Sequence, residues 1–188
     1  MSEDKTTISV NRDVALRFAK LARELGISIH KAATEALTAA EEILKDGENP
    51  THLLYLYRVF KAKSATDSLS LPLHLLAKIF EELETGRYIT LFYEAGRELG
   101  SVLAQWLAFQ DLIKTPQVLK LLLPVRTAQC RVEENNARFT LIFPPNTKRL
   151  IPLIVAYLRG VFDAYGYTQH KAEQREHVLD IVVYNCIQ

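Results

Sequence analysis

One short stretch near the start of the chain has the pattern of a β-strand but has no partner strand in the surrounding sequence. Residues 5–10 alternate polar and β-branched side chains, and this alternation places Ile8 and Val10 on one face. The next ~35 residues have the apolar spacing of helices, so no second strand lies nearby. An unpaired strand is unstable in water, and about 45 residues bury too little surface to fold alone. This region therefore requires a partner.

Two helices are predicted after the strand. Asn11 is suited to cap a helix whose apolar side chains recur every three or four residues, and Gly26 is suited to end that helix. Ser28 is a good cap for a second, alanine-rich helix that runs to about residue 44. The predicted order of elements is therefore strand, helix, helix.

A second copy of the chain would complete this unit. Two strands can pair antiparallel across a two-fold axis, so that Ile8 and Val10 pack onto four helices. Lys5, Thr7 and Ser9 would then point outward from each strand. A two-stranded ribbon fits the major groove of double-stranded DNA, where short polar and cationic side chains reach the base edges.

The distribution of charge along the chain fits binding to DNA better than the net charge does. The net charge of the whole chain is only +1. From Lys5 to Lys31, however, six basic side chains stand against two acidic ones, which gives +4. A balanced total can thus conceal a basic face, although a helix surface with such charges can also be merely solvated.

The stretch from Thr6 to Leu44 resembles the ribbon-helix-helix family of DNA-binding proteins, which includes the Arc, MetJ and CopG-type repressors. The resemblance rests on the strand 7–10, the junction 22–28 and the small-residue second helix. It implies a homodimer, and it implies that the outward side chains of the strand read DNA bases. Those base-reading residues are Lys5, Thr7 and Ser9.

The same resemblance implies a phosphate contact at the start of the second helix, at Ser28, His30 and Lys31. There is an independent physical reason for this assignment, since free backbone N–H groups and the helix dipole favour an anion there. Arg12, at the start of the first helix, is a further candidate for phosphate binding. His30 can equally be a simple surface residue.

The sequence Asp-Gly-Glu-Asn-Pro at residues 46–50 stops a helix, so we expect one unit over residues 1–46 and a second over 51–188. The second unit is predicted to be α+β, with four antiparallel strands and helices on one face of the sheet. The predicted helices cover residues 51–63, 73–84, 88–109 and 116–123, with another ending near 165. The predicted strands cover 127–132, 137–143, 167–171 and 177–184.

The larger unit faintly resembles vinyl-reductase-type ligand-binding domains. The resemblance rests on Ala-Gly-Arg-Glu-Leu-Gly at 95–100 and Tyr-Leu-Arg-Gly-Val-Phe at 157–162. The cysteine-rich ending common in that family is missing apart from Cys186, which weakens any shared ligand chemistry.

Motifs of catalysis are not visible in the sequence, so the chain is not expected to be an enzyme or to carry a cofactor or a metal. His170 and His177, with Asp163 or Glu176, are candidate metal ligands, but histidines without fixed ligand spacing are more often surface residues. Two cysteines, Cys130 and Cys186, do not make a disulfide framework. They are expected to be buried thiols, and the alternative is a mutual disulfide.

These features predict a transcriptional repressor that binds specific DNA as a dimer or tetramer. The larger unit would sense a small-molecule effector or drive further assembly. Two alternatives remain: an architectural or partition-type DNA-binding protein without an effector, and a ligand-binding protein or enzyme that uses residues 1–46 only to dimerise. The chain opens without a signal peptide and its apolar runs are too short to span a membrane, so we expect a cytoplasmic protein without a membrane partner.

Overall fold

A computed structural model describes residues 7–68, 72–81, 83–145 and 147–187 of the 188-residue chain. The chain divides into two compact units, residues 1–50 and residues 51–188. In the described residues the first unit contains helices, and the second contains helices and a four-stranded antiparallel sheet. The prediction of an α+β protein is thus confirmed. Across the described residues, every helix is too short or too polar to cross a bilayer.

The first helix, α1 (Arg12–Glu24), begins and ends where the local sequence predicts. The Asn11 side chain accepts a hydrogen bond from the backbone N–H of Asp13 at 2.9 Å. At the other end Gly26 has a φ of 70°, and its N–H donates to the carbonyl of Arg23. Glycine adopts a positive φ without steric strain because it has no Cβ atom, so this residue ends the helix.

The second helix, α2 (Ile29–Lys45), also has a side-chain cap at its start and a glycine with positive φ after its end. The hydroxyl oxygen of Ser28 accepts a hydrogen bond from the N–H of Lys31 at 3.1 Å, which confirms Ser28 as the cap. Gly47 has a φ of 76°, and the N–H of Glu48 donates to the carbonyl of Ile43. Local side chains and glycines therefore set the length of this helix.

The predicted N-terminal strand is not assigned in the single chain. Lys5 and Thr6 lie outside the described residues, and residues 7–10 precede α1 without a regular secondary structure. The first strand in the described part of the chain begins at Thr127. A strand needs a second backbone to pair with, so the ribbon remains a prediction about two chains.

Helices make up most of the second unit before its sheet. They are α3 (Pro50–Ala65), α4 (Leu73–Glu81), α5 (Ile89–Leu103), α6 (Phe109–Lys114) and α7 (Leu119–Leu122). A further helix, α8 (Ile151–Ala164), connects the two hairpins of the sheet. Short 3-10 turns at Thr85–Tyr88 and Pro116–Val118 precede α5 and α7.

The prediction of one long helix over residues 88–109 is wrong. The chain leaves the helical conformation after Leu103, becomes extended at Ala108, and starts α6 at Phe109. The Phe109 ring then lies 4.5 Å from the Tyr167 ring and 5.9 Å from the Phe162 ring, measured between centroids. The apolar spacing continues through the break and favours one helix, but the aromatic packing of Phe109 in the core outweighs that preference.

The sheet consists of two hairpins that meet at its centre. Its strands are β1 (Thr127–Glu133), β2 (Asn136–Ile142), β3 (His170–Arg175) and β4 (Val178–Val183), in the order β1-β2-β4-β3. All neighbours are antiparallel, as predicted. The third strand begins later than predicted because Gly166 ends α8 with a φ of 89° and the N–H of Tyr167 donates to the carbonyl of Phe162.

One face of the sheet is buried and the other is more exposed. Phe139 and Leu141 of β2, with Leu179 and Ile181 of β4, are buried in the core. The alternate positions mix apolar side chains such as Ile142 with polar groups such as the Thr140 hydroxyl, which donates to Asp180 at 2.6 Å. The unit therefore has its helices on one face of the sheet, as the alternating pattern requires.

The closest helix contact in this unit joins α5 to α8 through glycines. A Cβ atom built on Gly96 would lie 2.0 Å from the carbonyl oxygen of Tyr157. A Cβ atom on Gly160 would lie 2.1 Å from the carbonyl oxygen of Tyr93. The two backbones can approach this closely only because side chains are absent at the crossing. The two motifs quoted above for the vinyl-reductase-type resemblance therefore meet in space.

Candidate nucleic-acid interface

The outward residues of the predicted strand are accessible in the single chain. Thr7 and Ser9 are exposed, while Lys5 lies outside the described residues. Their inward neighbours Ile8 and Val10 are also exposed, at 58% and 62%. Neither face of this segment is covered by the other described residues.

The predicted phosphate-binding residues lie at the starts of two helices. Ser28, His30 and Lys31 share the beginning of α2, and Arg12 is the first residue of α1. The oxygen of Ser28 accepts the Lys31 N–H, which leaves its hydroxyl hydrogen to donate elsewhere. The carbonyl of His30 accepts a hydrogen bond from the Thr34 hydroxyl at 2.9 Å. The structure thus groups three of the four predicted residues.

Two basic side chains of this unit, Lys20 and Lys31, form long surface ion pairs. The Lys31 ammonium lies 3.9 Å from a Glu35 oxygen, and both side chains are 64% exposed. The Lys20 ammonium lies 3.8 Å from a Glu24 oxygen. Exposed pairs of this kind contribute little and break easily. Both ammonium groups can therefore turn to a polyanion.

The first unit leaves most of its large apolar side chains in solvent. Among its described residues the buried ones are Ala22 of α1 and Ala32 of α2. We refer to the exposed large apolar residues as the open apolar set; they are Ile8, Val10, Val14, Leu16, Leu21, Leu25, Ile29, Leu37 and Leu44. Soluble monomers rarely expose so much apolar surface in one small unit.

A separate polar cluster lies inside the second unit. The Tyr93 hydroxyl of α5 donates to one oxygen of Asp163 on α8 at 2.7 Å, and Nε2 of His170 lies 3.1 Å from the other oxygen. The hydrogen bond to Asp163 and burial raise the pKa of Tyr93. His177 lies exposed beyond the opposite end of β3. His170 and His177 therefore do not come together as a metal site.

The sequence suggested Asp163 as a neighbour of His170, but it gave no sign of Tyr93. Tyr93 and Asp163 stand 70 residues apart along the chain and belong to different helices. Only the α5–α8 crossing brings the tyrosine to the carboxylate. A search for His, Asp and Glu spacing cannot find a phenol positioned in this way.

The two cysteines are free thiols that burial makes unreactive. Cys130 is half-buried on β1 and Cys186 is buried. Burial raises the pKa of the Cys130 thiol to about 12 and also raises the pKa of Cys186. A thiol is a nucleophile only as the thiolate, so these residues are structural at neutral pH.

Comparison with known proteins adds no family to this description. No family model matches the chain, and no curated protein sequence matches it. The two resemblances therefore rest on the residues quoted for them.

Proposed function

We propose that this protein is a sequence-specific DNA-binding transcriptional repressor that acts as a dimer or higher oligomer. One observation carries the proposal: the first unit exposes the open apolar set and buries two alanines among its described residues. Such a unit is incomplete as a single chain. Burying one Leu or Val side chain stabilises a fold by about 1.5–3 kcal/mol, so a second copy offers a large gain.

Symmetry then decides where the polar residues go. Two copies that share their apolar faces bring their N-terminal segments together across a two-fold axis, where the segments can pair as an antiparallel ribbon. Ile8 and Val10 would turn inward, and Thr7 and Ser9 would face outward beside Lys5. The dimer presents both ribbon strands to one groove, with the starts of both α2 helices available for the flanking phosphates.

The electrostatics support the same assignment. The excess of basic residues between Lys5 and Lys31 doubles in a dimer, and the ion pairs of Lys20 and Lys31 are long and exposed. Contacts with phosphates release condensed counterions and supply most of the non-specific affinity. Hydroxyl groups on the ribbon supply the sequence preference.

The second unit favours a regulator over a purely architectural DNA-binding protein. It has an extensive apolar core of its own, centred on residues such as Leu103, Phe139 and Phe162. DNA contact by the ribbon does not need this second core. A sensing or assembly role explains why a separate folded unit follows the first, and a cytoplasmic regulator of this kind needs no cofactor.

Two neighbouring substitutions test the ribbon in the full-length protein. Ile8→Asp places a charge under the predicted ribbon and should convert the dimer to a monomer, because a buried unpaired charge is strongly unfavourable. Thr7→Asp adds the same charge on the outward face and should leave the dimer intact. Size-exclusion chromatography with light scattering measures the mass of each variant. Equal effects of the two substitutions would contradict the alternation.

DNA binding is tested by selecting sequences from a random library with the full-length protein, followed by a binding-shift assay. Thr7→Ala and Ser9→Ala should relax the preference, since each base contact contributes on the order of 1 kcal/mol. Lys31→Gln should weaken binding to all sequences and reduce the salt dependence. Lys45→Gln, which makes the same charge change at the other end of α2, is the matched control. Failure to enrich any sequence would overturn the proposal.

A further inference from the structure

A groove of about 480 Å³ lies in the second unit along α5, α8 and the β3–β4 hairpin. This volume is in the usual range for sites that bind small molecules. Most of the wall is apolar, and its apolar side chains include Ile89, Ile151, Pro152, Val155, Ala172 and Leu179. An apolar groove of this kind suits a hydrocarbon chain.

One cation stands in the wall of this groove. Arg159 of α8 is exposed, and among the described residues its guanidinium has no carboxylate within ion-pair distance. The nearest acidic residue along the helix, Asp163, already has one oxygen bonded by Tyr93 and the other facing His170. In the described part of the chain, the positive charge of this groove therefore forms no ion pair.

The other polar side chains in the groove wall are few and uncharged. Thr90, Tyr93 and Gln174 complete the polar part of the wall. A single guanidinium matches a monovalent headgroup, and its planar fork binds a carboxylate through two parallel hydrogen bonds. A divalent phosphate would leave one charge uncompensated in an otherwise apolar wall.

The geometry points to a site for a medium-chain aliphatic carboxylate. Along α8 the apolar wall runs from Pro152 to Arg159, a distance of about 10 Å at the rise of an α-helix. This is close to the extended length of octanoate. The carboxylate would bind Arg159, and the acyl chain would lie against Val155 and Pro152. This inference does not depend on DNA binding by the first unit.

The experiment is a titration of the full-length protein with sodium octanoate, followed by NMR of the isoleucine and valine methyl groups. Saturable shifts of Ile89, Ile151 and Val155 are expected at millimolar octanoate or below. Arg159→Gln should weaken octanoate binding at least tenfold, because it removes a charged hydrogen-bond pair. Arg159→Lys keeps the charge without the fork and should have an intermediate effect.

Three controls separate the headgroup from the chain. Arg126→Gln removes an exposed arginine outside the groove wall and should change octanoate binding less than twofold. Octanol, which has the same chain without a charge, should bind wild type and Arg159→Gln alike. Thr90→Phe fills the groove at an exposed position and should reduce binding of both probes.

Two results would overturn the inference. One is the absence of saturable shifts at millimolar octanoate. The other is equal octanoate affinity in wild type and Arg159→Gln, which would reduce the groove to a non-specific apolar surface. A protein that binds octanoate but selects no DNA would retain this site and lose the proposed function.

Discussion

Gly160→Ala provides the sharpest test of the packing described for the second unit. The new Cβ atom would lie 2.1 Å from the carbonyl oxygen of Tyr93 and 2.6 Å from the backbone nitrogen of Arg97. Carbon–oxygen contacts normally have a separation of about 3.3–3.6 Å, so α5 and α8 would have to move apart by roughly 1.2–1.5 Å. Both contacts are with backbone atoms, and no change of side-chain rotamer can relieve them.

The cost follows from that displacement. Overpacking of a core costs about 1–3 kcal/mol, and a gap of 0.5–1 Å removes roughly a quarter to a half of the local dispersion energy. The higher helix propensity of alanine relative to glycine offsets about 1 kcal/mol of this cost. Because the whole crossing has to open, the cost lies at the upper end of this range, and we expect a net loss of about 2 kcal/mol. For a unit of this size, such a loss lowers the melting temperature by roughly 7 °C.

Fluorescence of Trp106 is a suitable probe because it is the only tryptophan in the chain and it lies in the second unit. Urea unfolding of wild type and Gly160→Ala gives the difference in the free energy of unfolding. Gly86→Ala is the matched control, since its new Cβ atom would have no neighbour within 4 Å. That variant should stay within about 0.5 kcal/mol of wild type. A Gly160→Ala protein as stable as Gly86→Ala would refute the close crossing.

Three further predictions concern individual hydrogen bonds and thiols. Tyr93→Phe should destabilise the second unit by about 1.5 kcal/mol in the same assay, because it removes the donor to Asp163, whereas the exposed Tyr57→Phe should have little effect. Ser28→Ala should cost about 1 kcal/mol, measured by thermal unfolding followed by far-UV circular dichroism. The unfolded chain loses the Cys130 proton near pH 9, while the folded protein keeps it up to about pH 12. Stability should therefore fall as pH rises across this window, and less steeply in Cys130→Ser.

Features that depend on local chemistry were predictable from the sequence. The start of α1 at Asn11, the start of α2 at Ser28 and the end of α1 at Gly26 each need only a few neighbouring residues. The hairpin of β1 and β2 is similar, because a polar turn between two alternating segments fixes its register.

Features that depend on distant partners were not predictable. The break after Leu103 lies within an apolar pattern that suits a longer helix, and only the contacts of Phe109 in the core explain it. The hydrogen bond from Tyr93 to Asp163 depends on the helix crossing in the same way. The ribbon is a further case, because its hydrogen bonds lie between two chains and remain a prediction.

The strand order β1-β2-β4-β3 has a consequence for the dynamics of the second unit. The central strands β2 and β4 have neighbours on both sides, so their amide hydrogens should exchange with solvent only when the sheet opens. Every second amide of β1 and β3 points away from the sheet and should exchange quickly in an isolated chain. The exchange rates of the outward amides therefore show whether each edge strand, β1 or β3, is covered. Slow exchange at the outward amides of one edge would reveal that another strand covers it in the assembled protein.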